Sequence, residues 1–258
     1  MDLPPINDKR CDSKMCRYAC VCNYIVLLLT LILITGFAQA DMSIDRLIVN
    51  FQPESAHHQD VKVFNKGNNN LYVNVNVLEV LNPGTEKEQR VPVKDVKKLS
   101  LIATPKKMIV PSNSHKNVRL VLLEDAGKTD RIFRVSYSPA LGKLKAKTSG
   151  IKILVAYQSL VIIRPNNPVA HITAERKGDK IIFRNSGNTN AILQNGQQCH
   201  PKDKNKCEVL SGRRLYAGNT WEFKPPYSGP VTFEVDDGKG VKTQTFPGSP
   251  SLKRPPLH

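Results

Sequence analysis

The stretch Ile151–Ile163 reads IKILVAYQSLVII and runs straight into Arg164-Pro165-Asn166-Asn167-Pro168. The apolar run reads as the longest strand of the chain. Two prolines within five residues then make a stiff linker. A long strand that ends in a stiff linker divides the molecule, with one domain before residue 165 and another after residue 168.

Working towards the N-terminus, Leu71–Val80 (LYVNVNVLEV) puts Leu71, Val73, Val75 and Val77 on one face. That is period two, the signature of a half-buried strand. Ile44–Phe51, Val61–Phe64, Val118–Leu123 and Ile132–Tyr137 are further strands. Asn65–Asn70, Asn82-Pro83-Gly84 and Pro111–His115 read as turns. Beyond the linker the pattern restarts with His171–Glu175, Lys180–Arg184, Ala191–Gln194, Trp221–Lys224 and Val231–Val235. Turns fall at Asn185–Asn188 and at Asp236-Asp237-Gly238. Many short strands at this spacing, with no long amphipathic helix, predict an all-β chain of two sandwiches. The domains are expected over 41–164 and 169–246, with the linker at 165–168. The Pro-rich tail 247–258 is expected to be disordered.

Residues 1–40 read differently. Lys9, Arg10, Lys14 and Arg17 precede the apolar run Ile25–Ile34, and Ala38-Gln39-Ala40 follows. Basic n-region, h-region and A-x-A site together predict a cleaved secretory signal peptide, and hence export. The apolar run is short for a membrane span, so an uncleaved anchor is the lesser alternative. Met15 is an alternative start.

Export then sorts the cysteines. Cys11, Cys16, Cys20 and Cys22 lie in the segment to be removed. Cys199 and Cys207 remain, and in an oxidising compartment such a pair most simply forms a disulfide closing a short loop. His200 raises the alternative of a metal site, which lacks an obvious fourth ligand.

Hydrophobic residues make up 40% of the 258 and aromatics 6%, enough for real cores. The formal net charge of +16 attracts anionic partners, nucleic acid first among them. A solvated basic face is the plainer reading, and no nucleic-acid partner is expected. Enzyme constellations are missing. The chain has no G-x-S-x-G elbow and no H-E-x-x-H, and Ala126-Gly127-Lys128-Thr129 lacks the earlier glycine of a phosphate loop. Neither catalysis nor a cofactor is expected.

The order of motifs carries a resemblance. Pro111 precedes Val118-Arg119-Leu120, and Ile132–Pro139 (IFRVSYSP) follows. A basic loop, Ala140–Gly150, comes next, and then the long strand ending in Ile163-Arg164-Pro165. This order resembles the PapD-like periplasmic chaperones of the chaperone–usher pathway. The resemblance implies two immunoglobulin-like β-sandwiches in an L-shaped arrangement. It also implies a function: such chaperones lend their G1 strand to a pilus subunit that lacks one, a form of β-augmentation. By the same resemblance the partners are pilus or fimbrial subunits and an outer-membrane usher, with a self-capping dimer when no cargo is bound. The compartment is the periplasm. Counting back from Arg164-Pro165 puts Ile151, Ile153 and Val155 at the donor positions; the alternative is inward core packing. Arg46 matches the family's carboxylate-anchoring Arg; the alternative is a surface strand Arg. The family's anchoring Lys falls on Leu160, a departure for which Lys152 or Gln158 is the substitute. Arg164 is expected to hold the domains together through an ion pair. Lys143, Lys145 and Lys147 are expected to screen self-association, with phosphate binding as the competing reading. Two rivals stand beside the chaperone: a secreted Ig-like adhesion or structural module, and a basic exported protein acting on nucleic acid or anionic glycans.

Overall fold

The computed structural model describes residues 41–92, 100–124, 126–140 and 154–247. The signal-peptide reading of 1–40 lies outside these residues. So do Ile151, Lys152, Ile153, the three loop lysines and all but the first residue of the predicted tail.

Ten strands build the first sandwich. They are β1 (Met42–Ile44), β2 (Ile48–Phe51), β3 (His58–Asn65), β4 (Leu71–Leu81), β5 (Gln89–Pro92), β6 (Leu101–Thr104), β7 (Lys107–Val110), β8 (Ser114–Leu122), β9 (Arg131–Pro139) and β10 (Tyr157–Ile163). One sheet has the order β1-β3-β8-β6. The facing sheet has the order β2-β10-β9-β4-β5, with β7 also on β4. Alternation sets the faces: Val73 and Val75 of β4, Phe133, Val135 and Tyr137 of β9, and Val161 and Ile163 of β10 all point into one core.

The second sandwich comprises β11 (Ile172–Lys177), β12 (Lys180–Asn185), β13 (Ala191–His200), β14 (Asp203–Leu210), β15 (Arg213–Leu215), β16 (Thr220–Phe223), β17 (Val231–Asp236) and β18 (Val241–Phe246). Its sheets run β11-β12-β16 and β14-β13-β17-β18, with β15 paired to β13. Its core is aromatic. Phe183 stacks on Trp221 at 5.1 Å and meets Phe233 and Phe246 edge-on. Cys199 and Cys207 lie opposite each other on β13 and β14 and form a disulfide that staples this hairpin. Neither sulfur is therefore free for a metal, and the neighbouring His200 ring nitrogen accepts the Lys202 amide at 3.2 Å.

Two predicted strands differ from those observed. Ile44–Phe51 is not one strand but two, because the chain changes sheets between them: β1 pairs with β3, and β2 runs parallel to β10. The long strand predicted over 151–163 is regular from Tyr157 onward, while residues 154–156 carry no strand pairing.

Candidate functional site: an open strand edge and a cationic face

The strand β10 is treated differently along its length. From Leu160 to Ile163 it lies between β2 and β9. The Leu160 amide donates to the Leu47 carbonyl at 2.8 Å and the Arg164 amide to the Phe51 carbonyl at 3.0 Å. Below Leu160 only β9 continues, to Tyr157. Among the described residues, no strand pairs with the other edge of Tyr157 and Gln158. The chain next to them is Leu154-Val155-Ala156, where Leu154 is 40% and Val155 39% exposed. Leu47 and Ile48 of the neighbouring segment are exposed as well. An unpaired backbone edge rimmed by apolar side chains is a template for another chain's strand.

The outer face of the same sheet carries cations. On β9 the alternation that sends Phe133, Val135 and Tyr137 inward sends Ile132 and Arg134 outward. Arg134 is half-buried opposite Leu160, and its enclosed Nε has no hydrogen-bond partner. It forms no salt bridge among the described residues, although its charge is felt by Glu88. Nearby, Arg90 pairs with Glu88 at 3.2 Å and reaches the Gln158 side chain at 3.5 Å. Glu88 accepts the Gly84 amide, and that bond chiefly holds its carboxyl below the usual range, with Arg90 adding. Sequence reasoning passed over Arg134. The signal was there: it is the one charge in the outward row of IFRVSY.

Leu160, 7% exposed, explains its departure from the family pattern. It packs with Val80, Ile132 and Ile162 against Tyr216 of the second sandwich. This position serves contact between the sandwiches, and an ammonium there would lose its hydration. Arg46 stands elsewhere. Its side chain is 45% exposed, lies 3.6 Å from Asp45 and donates to Gln59 of β3 at 3.4 Å.

Arg164, 5% exposed, joins the two sandwiches. Its Nη1 donates to Thr189 Oγ1 at 2.6 Å and to the Asp237 carbonyl at 2.8 Å. Thr189 in turn donates to the Asp130 carboxylate at 2.7 Å. A hydroxyl relay thus stands where a direct ion pair was expected. Gly238 lies flat on the guanidinium, with φ 83°, and an added Cβ would fall 2.3 Å from Arg164 Nη2. Asp130 also accepts both the backbone and side-chain N–H groups of Asn190 at 2.6 Å. Asn219 donates to the Pro83 carbonyl at 2.7 Å.

Two such sandwiches, with a parallel β2–β10 pair and an open edge below it, define the fold of the PapD-like pilus chaperones. Over 206 residues the chain is 24% identical to a CS1 fimbrial protein of Escherichia coli, covering 76% of this chain and 85% of that protein. Among solved structures it is similar to the class 5 fimbriae chaperone CfaA, with TM-score 0.61 and 20% identity over 80% of this chain and 98% of that one. It is also similar to a chain of the Salmonella enterica SafA pilin–SafB chaperone complex, with TM-score 0.57 and 13% identity over 82% of this chain and 97% of that one. No family model matches.

Proposed function

We propose that this chain is a periplasmic chaperone that holds a fimbrial subunit on the open edge of β10 and passes it to an outer-membrane usher. The observation that carries the reading is the loss of strand pairing on one side of β10 below Leu160, beside exposed Leu154 and Val155. Side chains two apart share a face of a strand. Extended, Ile151, Ile153 and Val155 continue the inward row of Tyr157, Ser159, Val161 and Ile163 past the rim of the chaperone's own core. They would then enter the core of the partner. Backbone pairing gives attachment, and this row gives fit.

The cargo's terminal carboxylate is the natural ligand of the cationic outer face. Arg134 supplies an enclosed guanidinium with donors to spare, and Arg90 and Gln158 stand beside it. Arg46, at the edge, is the further candidate that the family resemblance supplies. Lys152 is a weaker one. The role is binding rather than catalysis, and a capped dimer is the expected resting form. Ile153→Asp tests the reading. It should leave the fold intact and reduce cargo co-purification by more than a hundredfold, on the order of 3 kcal/mol for a charge placed in an apolar groove. Wild-type yield of captured cargo would sink the assignment.

A further inference from the structure

The chain changes sheets at Asp45-Arg46-Leu47, and two hydroxyls are buried in the core beside that crossing. Ser159 is fully buried in an otherwise apolar row, and its hydroxyl donates to the Arg46 carbonyl at 2.9 Å. Tyr137 is also fully buried, and its hydroxyl has no hydrogen bond of good geometry. Burial pushes the pKa of that phenol up to about 12, with the Ser159 hydroxyl opposing and the Asp45 carboxylate adding. Buried hydroxyls in a core normally answer a need for partners.

Following the backbone shows the need. For β2 to pair one rung further down, Asp45 and Leu47 would have to flank Gln158, as Leu47 and Val49 flank Leu160. Residue 45 is already committed elsewhere: its amide donates to the Lys62 carbonyl at 3.1 Å, and its Oδ1 accepts the Lys62 amide at 2.8 Å. Leu47 is committed to Leu160. The Arg46 carbonyl falls between the two commitments, and Ser159 satisfies it.

We infer that Ser159 is a positioning residue, whose hydroxyl pins the crossing peptide at Arg46, ends the β2–β10 pairing at Leu160, and so makes Gln158 the first rung offered to a partner strand. The use of that rung rests on the strand-lending function proposed above; the pin itself does not. Without the hydroxyl, the Arg46 carbonyl must leave the core for water, and the Leu47–Leu160 bond beside it loosens.

Amide hydrogen exchange on the cargo-free protein tests this. In the wild type the Gln158 amide exchanges fast, and those of Leu160 and Ile162 exchange slowly. In Ser159→Ala the Leu160 amide should exchange at least tenfold faster while Ile162 keeps its rate. Ser159→Thr, which restores a hydroxyl, should return Leu160 to slow exchange. Tyr137→Phe should leave Leu160 slow, because the pin is the serine. The inference is overturned if Leu160 stays slow in Ser159→Ala, or if all slow amides of the first sandwich accelerate together, which would mean a merely structural serine. Cargo capture by Ile153→Asp is scored separately, so failure of the strand-lending function and failure of the pin give different results.

Discussion

The two halves of the run 154–163 have similar apolarity and opposite surroundings. Leu160–Ile163 lies between β2 and β9 with both faces covered, one by the core and one by Tyr216. Leu154-Val155-Ala156 has neither neighbour and stands exposed. Burial makes the upper half a source of stability, about 1.5–3 kcal/mol per large aliphatic side chain. The lower half gives the folded monomer little. Apolar residues kept at an unpaired edge in an exported chain are a hazard unless a partner uses them. The contrast locates function within one continuous apolar run.

The same substitution should therefore act oppositely in the two halves. Val161→Asp buries a charge in the core and should unfold the first sandwich, at a cost on the order of 4 kcal/mol or more. Val155→Asp should leave the melting temperature within about 2 °C of wild type, since exposed positions tolerate such changes, and should still abolish cargo capture. Thermal melts followed by circular dichroism check the pair. If Val155→Asp melts like Val161→Asp, the halves are not different in kind.

The next largest effect concerns the face beside the open half. Arg134→Ala removes the unpaired guanidinium, and capture should weaken about ten- to a hundredfold, as expected for roughly 1.5–3 kcal/mol of charged hydrogen bonding. The melting temperature should hardly move, because no salt bridge of the described residues is lost. Unchanged affinity in a pull-down titration would remove Arg134 from the site.

Much of this was legible in the residues, for particular reasons. Leu71–Val80 alternates because one face is covered and the other is not, so its strand could be read directly. The Pro-containing stretch 165–168 and the Cys199–Cys207 pair carry their chemistry in their residue types. The split of Ile44–Phe51 was not legible, because a sheet switch is decided by partners far along the chain, Lys62 on one side and Leu160 on the other. The edge strands β14 (DKNKCEVL) and β18 (VKTQTF) were missed because most of their side chains are exposed and show no alternation. Arg134 needed the faces of β9 assigned before it stood out. Leu160 looked like a missing cation until Tyr216 supplied its neighbour.

Leu160→Lys sharpens that last point. Restoring the family's residue should not strengthen capture, because the position faces the second sandwich. It should instead lower the melting temperature by several degrees, about 2 kcal/mol for a Lys forced into an apolar cluster and partly relieved by snorkelling. Tighter cargo capture by this variant would place the anchor on β10 rather than on β9.

The smallest expected effect is on pH dependence, and it concerns the turn behind the cationic face. Glu88 accepts the Gly84 amide at 2.9 Å and lies beside Arg90. Both hold its carboxyl below the usual range, the amide more strongly. A depressed folded value means that the stabilisation is fully present above the ordinary Glu range, about 4.3, and is lost as pH falls through the lower folded value. Glu88 is partly exposed, so the contribution is modest and screened. Glu88→Gln should be slightly less stable than wild type at pH 6, and the difference should shrink steadily towards pH 3. The turn it braces presents the Pro83 carbonyl to Asn219, so the loss should appear as easier separation of the two sandwiches, while exchange at the open edge of β10 stays as it was. A difference that persists unchanged at pH 3 would mean that the Glu88 side chain acts there by packing and not by charge.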